Sequence, residues 1–384
     1  MPSSDALHAE LAQPAPATSG RGFKTCLWLH RWCGLISAPF FLVLCITGTL
    51  LIFHHELQTW LGELPVVNDY DSKRPIAVQR MLEQAKLRMP DRKPLYVLQD
   101  EKTPGLATLG MAPANDMSVA EAKSLMFHTN TGALLQDKDL MNDTFLGWVF
   151  DLHASWLMGT AGQFFGGFIG ILVLISVLCG LAVYQPFVRR IAFGEVRRHK
   201  VSTTSQLDWH NFIGVIVTGW LLVVTLSGIF LSVGSIGLKI WRMTELQAMI
   251  QPYKDRPLPS SVVPIELAIS NVSMAKPDAR FMGAMFPGSE FSGDHHYGVF
   301  TGGKKAWDSK LFEITLVEAA TGRALETRVT PWYLKVIMLS EPLHFGDYGG
   351  LPLQLFWTLA TWLAMFITGN GAWLWWKKHA RKMP

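Results

Sequence analysis

Charge is what this chain has least of. Only 17% of its 384 residues are Asp, Glu, Lys or Arg, against about 25% in an average soluble domain. The shortage is local: Gly34 to Phe53, Ala154 to Val188, Asn211 to Leu238 and Tyr348 to Trp376 hold none at all. A hydrocarbon core takes roughly 20 apolar residues to cross, and each stretch supplies that many. Four such runs exclude an ordinary soluble domain and predict four spanning helices, at 25–57, 148–188, 209–238 and 343–378 with their flanks.

Other absences narrow the function. The four cysteines, Cys26, Cys33, Cys45 and Cys179, lie in or beside the first two spans, and the large loops have none. That excludes a disulfide framework and a zinc knuckle, and the lack of C-x-x-C-H excludes covalently attached c-type haem. No glycine-rich phosphate fingerprint follows a strand. The segments 1–24, 189–208 and 379–384 are too short for a dinucleotide domain, so NAD(P)H and flavin are not expected to bind. The mid-span positions carry no ionisable residue, which argues against the translocation path of a permease.

What charge there is sets the topology. Arg21, Lys24 and Arg31 precede the first span, Arg189, Arg190, Arg197, Arg198 and Lys200 separate the second from the third, and Lys377, Lys378, Arg381 and Lys382 follow the fourth. Lys and Arg favour the cytoplasmic side, so both termini are expected in the cytoplasm of a bacterial inner-membrane protein. The net charge of +4 is a topology signal and gives no reason to expect nucleic acid. The Ala/Pro/Ser-rich start reads as a tail, and the first span lacks a cleavable signal's short apolar core, so it is expected to remain attached.

The two long loops, 58–147 and 239–342, then face the periplasm, and both read as small α+β units. In the first, an amphipathic stretch from Ile76 to Met89 leads to alternating runs such as Leu95 to Leu98. Ser124 to Phe127, the turn Thr131-Gly132 and Ala133 to Leu135 follow. In the second, Ile265 to Ser273 leads to Arg280 to Phe286, Leu311 to Val317, the turn Thr321-Gly322 and Ala324-Leu325. Glycine suits a turn that needs positive φ.

The spans repeat as well. Leu29-His30-Arg31-Trp32-Cys33-Gly34 opens the first and Trp209-His210-Asn211-Phe212-Ile213-Gly214 the third. Thr47-Gly48 and Ser227-Gly228 come 17 residues after each histidine. Leu152-His153 and Leu343-His344 enter the second and fourth spans, each 27 residues before a glycine, Gly180 and Gly371. The expected architecture is a mainly α membrane protein with four transmembrane helices in two repeats, each repeat carrying a periplasmic α+β domain. Small residues on these helices also serve close helix packing.

A histidine and glycine four apart opening a span, a loop domain ending in Thr-Gly, and Leu-His entering the returning span together resemble the PepSY-associated transmembrane family. The likeness covers nearly the whole chain after Gly22. Within that family the size and layout are similar to inner-membrane ferric-siderophore reductases. Such a resemblance implies PepSY-like loop domains, b-type haem and reduction of a periplasmic ferric siderophore.

Six histidines stand at the membrane boundaries: His30 and His210 near the cytoplasmic face, and His54, His55, His153 and His344 near the periplasmic face. A lone histidine is comfortable at an interface, but the repeat supplies partners, His30 with His210 and His153 with His344. Imidazole nitrogen is an axial ligand for haem iron, so two b haems are expected, one near each face. His54 and His55 match Gly234 and Ser235 in the other half, which leaves them as alternative ligands or as lining of a periplasmic entrance. From His30 to His54 is 24 residues, roughly 36 Å of helix, a long path for direct electron transfer. Trp or Tyr between the haems would shorten it. The donor is expected to be a membrane quinol or a separate reductase.

Phe145, Trp148, Phe150, Trp156, Trp332, Tyr333, Phe345 and Tyr348 crowd the periplasmic junctions with Asp143, Asp151, Glu341 and Asp347. An aromatic belt at headgroup level accounts for most of them; a cleft for a bulky chelate, for instance a cationic hydroxamate, is the sharper alternative. Asp294-His295-His296-Tyr297 reads as a turn and strand start rather than a metal site. Asp208 is open to two roles, orienting the His210 imidazole or standing as a solvated charge. Rival functions are a metal-chelate permease, a non-enzymatic periplasmic binding module, and a haem protein whose acceptor is a protein or a copper complex.

Overall fold

A computed structural model of the chain describes residues 20–140, 142–188, 194, 196–197, 202–305, 308–346 and 348–380. Among the described residues four helices are long and apolar enough to cross a membrane: α1 (Arg21–Ile52), α5 (Gly159–Val188), α6 (Ser202–Ser232) and α11 (Gly350–Ala380). Their 30 to 32 residues rise roughly 45 Å or more, beyond the ~30 Å that the hydrocarbon needs. Many of their large apolar side chains, such as Ile46, Phe168, Ile216 and Trp362, are exposed. In water that would be costly; in lipid it is the favoured state.

Two of the expected spans are each two helices. Segment 148–188 contains α4 (Phe145–Ser155) and then α5, because Trp156 and Leu157 adopt left-handed φ of 54° and 59°. Segment 343–378 contains the end of α10 (Trp332–Phe345) and then α11. There Gly346, at φ 65°, ends the helix, in a conformation that glycine adopts without strain. The first span likewise stops at Ile52, and α2 (His54–Trp60) is a separate short helix. Its counterpart after α6 is α7 (Gly234–Trp241), continued by a π turn and α8 (Gln247–Ile250).

The chain divides into two compact units, each built from several segments. The first comprises the described residues among 1–45, 168–226 and 359–384, the helical ends that carry His30 and His210. Its interior is made by Phe41 of α1, Val177 of α5, Val217 and Leu221 of α6, and Ala364 and Ile367 of α11. These residues come from all four helices, which therefore share one apolar seam.

The second unit, residues 46–167 and 227–358, is organised by one antiparallel sheet of eight strands in the order β4-β3-β2-β1-β5-β6-β7-β8. The first loop supplies β1 (Arg92–Gln99), β2 (Leu106–Pro113), β3 (Lys123–His128) and β4 (Leu134–Gln136). The second supplies β5 (Arg280–Met285), β6 (His296–Gly302), β7 (Phe312–Glu318) and β8 (Ala324–Val329). β1 pairs with β5, with Val97 opposite Ala284, so the two loops share one sheet.

One face is covered by α3 (Val78–Arg88) and α9 (Ile265–Ala275). Met81, Ala85, Ile269 and Val272 bury against Val97, Leu109, Phe127, Val299 and Val317. On the other face Trp241, Leu246, Met249 and Leu334 cover Ile314 and Leu316. This second cluster ties α7, α8 and α10 to the sheet, and so anchors the helix that bears His344. The two Thr-Gly turns have φ of 67° at Gly132 and 74° at Gly322. Leu106 to Pro113, an unalternating run, lies buried along most of its length.

Candidate functional site: two histidine pairs

His30 leaves α1 toward α5, where its Nδ1 lies 2.8 Å from the Ser176 carbonyl oxygen and 3.2 Å from the Ser176 hydroxyl. A helix carbonyl is normally covered by the side chain one turn on; here that residue is Gly180. A Cβ at Gly180 would stand 3.0 Å from both Cε1 and Nδ1 of His30, so the missing side chain is what lets the ring approach. His210 of α6 repeats this on α11: Nδ1 is 3.1 Å from the Ile367 carbonyl, and a Cβ at Gly371 would be 3.1 Å from Cε1. The two ring centres are 6.1 Å apart, at 68°.

The second unit holds the second pair. His153 of α4 has Nδ1 2.8 Å from the Thr47 hydroxyl of α1, and a Cβ at Gly48 would be 3.3 Å from its Cε1. His344 of α10 has Nδ1 3.2 Å from the Ser227 hydroxyl of α6, and a Cβ at Gly228 would be 2.9 Å from its Cε1. Ring centres are again 6.1 Å apart, at 61°. All four imidazoles are thus held at Nδ1 with a glycine beside Cε1, and in both pairs the rings meet at a steep angle, edge toward face. The spacing of Thr47-Gly48, Ser227-Gly228, Gly180 and Gly371 was visible in the chain; the Ser176 and Ile367 carbonyl oxygens that meet Nδ1 in the first unit, being backbone, had no signal there.

A cavity of about 790 Å³ opens in the first unit beside its pair. His30, His210, Gly34, Gly180, Gly214 and Gly371 line it, and Arg31, Lys377 and Lys378 bring positive charge to its wall. That volume lies in the usual range for a small-molecule site, roughly 300–1,000 Å³. Among the described residues no three His, Cys, Asp or Glu side chains cluster to hold a metal ion.

His54 and His55 open α2, and His54 Nδ1 lies 2.9 Å from the Leu51 carbonyl. Asp208 does not orient His210. It is gripped by Arg197, whose Nε and Nη2 donate to its two oxygens at 3.0 and 2.7 Å, because guanidinium and carboxylate match as planar forks. Phe145, Trp148, Phe150, Trp332 and Tyr348 are exposed, as a belt requires, while Tyr333 packs into the Trp241 cluster. Asp151 accepts from the Ser155 hydroxyl and Asp143 from the Asp139 amide. Asp347 lies outside the described residues.

An ion-pair chain has no signature in the sequence, its members being far apart along the chain. Lys310 reaches Glu341 of α10 at 3.0 Å and Glu101 of the β1–β2 loop at 3.1 Å. Burial alone would push the ammonium down, but the two carboxylates outweigh it and lift it to about 12. Burial likewise favours the neutral form of Glu101, and Lys310 overrides that, holding it below the usual carboxylate value.

His296, at the start of β6, is buried against the Tyr253 ring, and neither ring nitrogen has a hydrogen-bond partner among the described residues. Burial, then the neighbouring His295, push it down to about 4. It stays neutral and belongs to the packing.

No curated protein matches the chain. The family model for the PepSY-associated TM region matches residues 27–378, a stretch that includes both histidine pairs and the whole sheet. The chain therefore belongs to the PepSY-associated transmembrane family.

Proposed function

We propose that the protein is an inner-membrane di-haem b-type reductase that passes electrons to a periplasmic ferric siderophore. The observation that carries this reading is the pairing of four histidines two by two, each pair 6.1 Å between ring centres. A metal–imidazole bond of roughly 2.0 Å plus about 1.1 Å to the ring centre, taken twice, gives roughly 6.2 Å. Two imidazoles alone are a poor metal site; they suit an iron whose other four positions a macrocycle already fills. The glycine beside each ring and the cavity of about 790 Å³ leave space for such a flat group in the first unit. Arg31, Lys377 and Lys378 there are suited to its carboxylates. When bound, haem supplies a one-electron Fe(III)/Fe(II) couple.

The chain's own residues hold and shield. His30 with His210 and His153 with His344 would hold the haems between paired imidazoles, an arrangement that would favour electron transfer over oxygen binding. With the Lys- and Arg-rich ends in the cytoplasm, His30 and His210 belong to the inner face, and His153 and His344 to the periplasmic face under the sheet. In this reading the architecture is two copies of span, periplasmic unit and span. Electrons enter from a quinol or a separate reductase and leave to a chelate, of hydroxamate type, at the exposed aromatic junctions. Reduction of the chelated iron weakens its grip, because hard oxygen donors favour Fe(III) over Fe(II).

The decisive experiment is the visible spectrum of detergent-purified protein before and after dithionite, with haem counted per chain. Sharp reduced bands and close to two haems per chain are expected, followed by reoxidation on adding a ferric hydroxamate. Alanine at His153 or His344 should remove one of the two haems, and alanine at His295 neither. A preparation that stays colourless when expressed with ample haem would end the reductase reading and favour a binding module or permease.

A further inference from the structure

The two pairs differ in what holds Nδ1. In the first unit the contacts include backbone carbonyl oxygens, those of Ser176 and Ile367. A carbonyl only accepts, so Nδ1 there must carry the hydrogen and Nε2 keeps its lone pair. In the second unit side-chain hydroxyls stand at the same place, Thr47 Oγ1 on His153 and Ser227 Oγ on His344. Both hydroxyls are buried, at 6% and 3% exposure, and both precede the glycine against which the ring packs. Each Thr-Gly or Ser-Gly pair therefore acts as one device: the glycine admits the ring and the hydroxyl sets its rotation.

We infer that Thr47 and Ser227 are positioning residues that orient His153 and His344 and tune the reduction potential of the centre they ligate, and of that centre alone. The inference rests on the haem reading above. An acceptor on Nδ1–H draws the proton and makes Nε2 a stronger donor, which favours the ferric state. Removing the acceptor makes the iron easier to reduce. Backbone carbonyls cannot be removed by substitution, whereas the Thr47 and Ser227 hydroxyls can, and at His30 the Ser176 carbonyl stands beside the Ser176 hydroxyl. The pair His153 and His344 is the one nearest the proposed acceptor, where the potential decides which chelates accept electrons.

The test is a redox titration of the full chain in detergent, followed optically, with haem counted in the same samples. Thr47→Val and Ser227→Ala should each shift one midpoint upward, the same one, and leave the other in place. The double variant should shift it further, and Thr47→Ser should titrate like the parent. Loss of one haem in Thr47→Val that Thr47→Ser restores supports the orienting role. Both midpoints unmoved, both moved alike, or a haem loss not restored by serine would overturn it while two haems in the parent leave the haem reading intact. A haem-free parent overturns both.

Discussion

At the scale of single residues, room matters as much as donor atoms. The Cε1 edge of His344 is so close to Gly228 that an added methyl would sit 2.9 Å away. A rigid imidazole cannot yield without leaving its hydroxyl partner. Gly228→Ala is therefore expected to empty one of the two centres, seen as about half the haem per chain. Gly219→Ala on the same helix, with nothing within 4 Å of the new Cβ, is expected to change nothing.

His296 gives a pH dependence at the same scale. Its folded value, about 4 against an ordinary 6.5, lies below that of the unfolded chain. The unfolded chain thus takes up a proton first, and stability falls as pH drops from about 6.5 toward 4. His295 and Arg256 push the same way, and Glu318 opposes them. A loss of roughly 3 kcal/mol by pH 4 is expected, measured as a falling melting temperature of the purified protein. His296→Leu should weaken that pH response. A response identical to the parent's would mean another group controls it.

At the scale of elements, α10 is where the sheet meets a histidine pair. Leu334 fixes one end in the Trp241 cluster, and Glu341, one turn before His344, is tied to Lys310 and through it to Glu101. The carboxylates are more than a third exposed, at 35% and 38%, so each pair is worth little, up to about 1 kcal/mol. Lys310→Met is expected to lower thermal stability by about that amount and to loosen the His344 centre, read as faster loss of haem on dilution. Unchanged haem retention would show that the apolar cluster holds α10 unaided. The breaks at Trp156-Leu157 and Gly346 make α4 and α10 separate helices from the spans that follow. An unbroken periodic helix has no means of presenting these histidines differently from the rest of its face.

At the scale of the molecule, charge asymmetry predicts orientation. The loops that build the sheet are expected outside the inner membrane and the basic ends inside. Cysteine introduced at the exposed Lys138 or Lys254 should react with a membrane-impermeant thiol reagent in intact spheroplasts. Cysteine at Lys378 should react only after permeabilisation. The reverse pattern would invert the topology and place the proposed acceptor site in the cytoplasm. The native cysteines, all in or beside the first two spans, can be replaced beforehand.

What the chain determined by itself is what local physics dictates. Length without charge defines an apolar helix, hence α1, α5, α6 and α11. Alternation and Thr-Gly turns define short strands, hence the runs at β1, β3, β5 and β7 and the positive φ of Gly132 and Gly322. Apolar runs without alternation, such as Leu106 to Pro113, were silent because burial on both faces erases the period of two. The candidate histidines were readable as a set, since their spacing to glycine is a property of the chain. Tertiary structure alone decided which rings meet, and that Ser176 and Ile367 carbonyls meet one pair while Thr47 and Ser227 hydroxyls meet the other. It alone joined the two loops through β1 and β5, and turned Asp208 to Arg197 rather than His210. Those outcomes depend on contacts between residues far apart in sequence, where packing and charge pairing choose among arrangements that local propensity leaves equal.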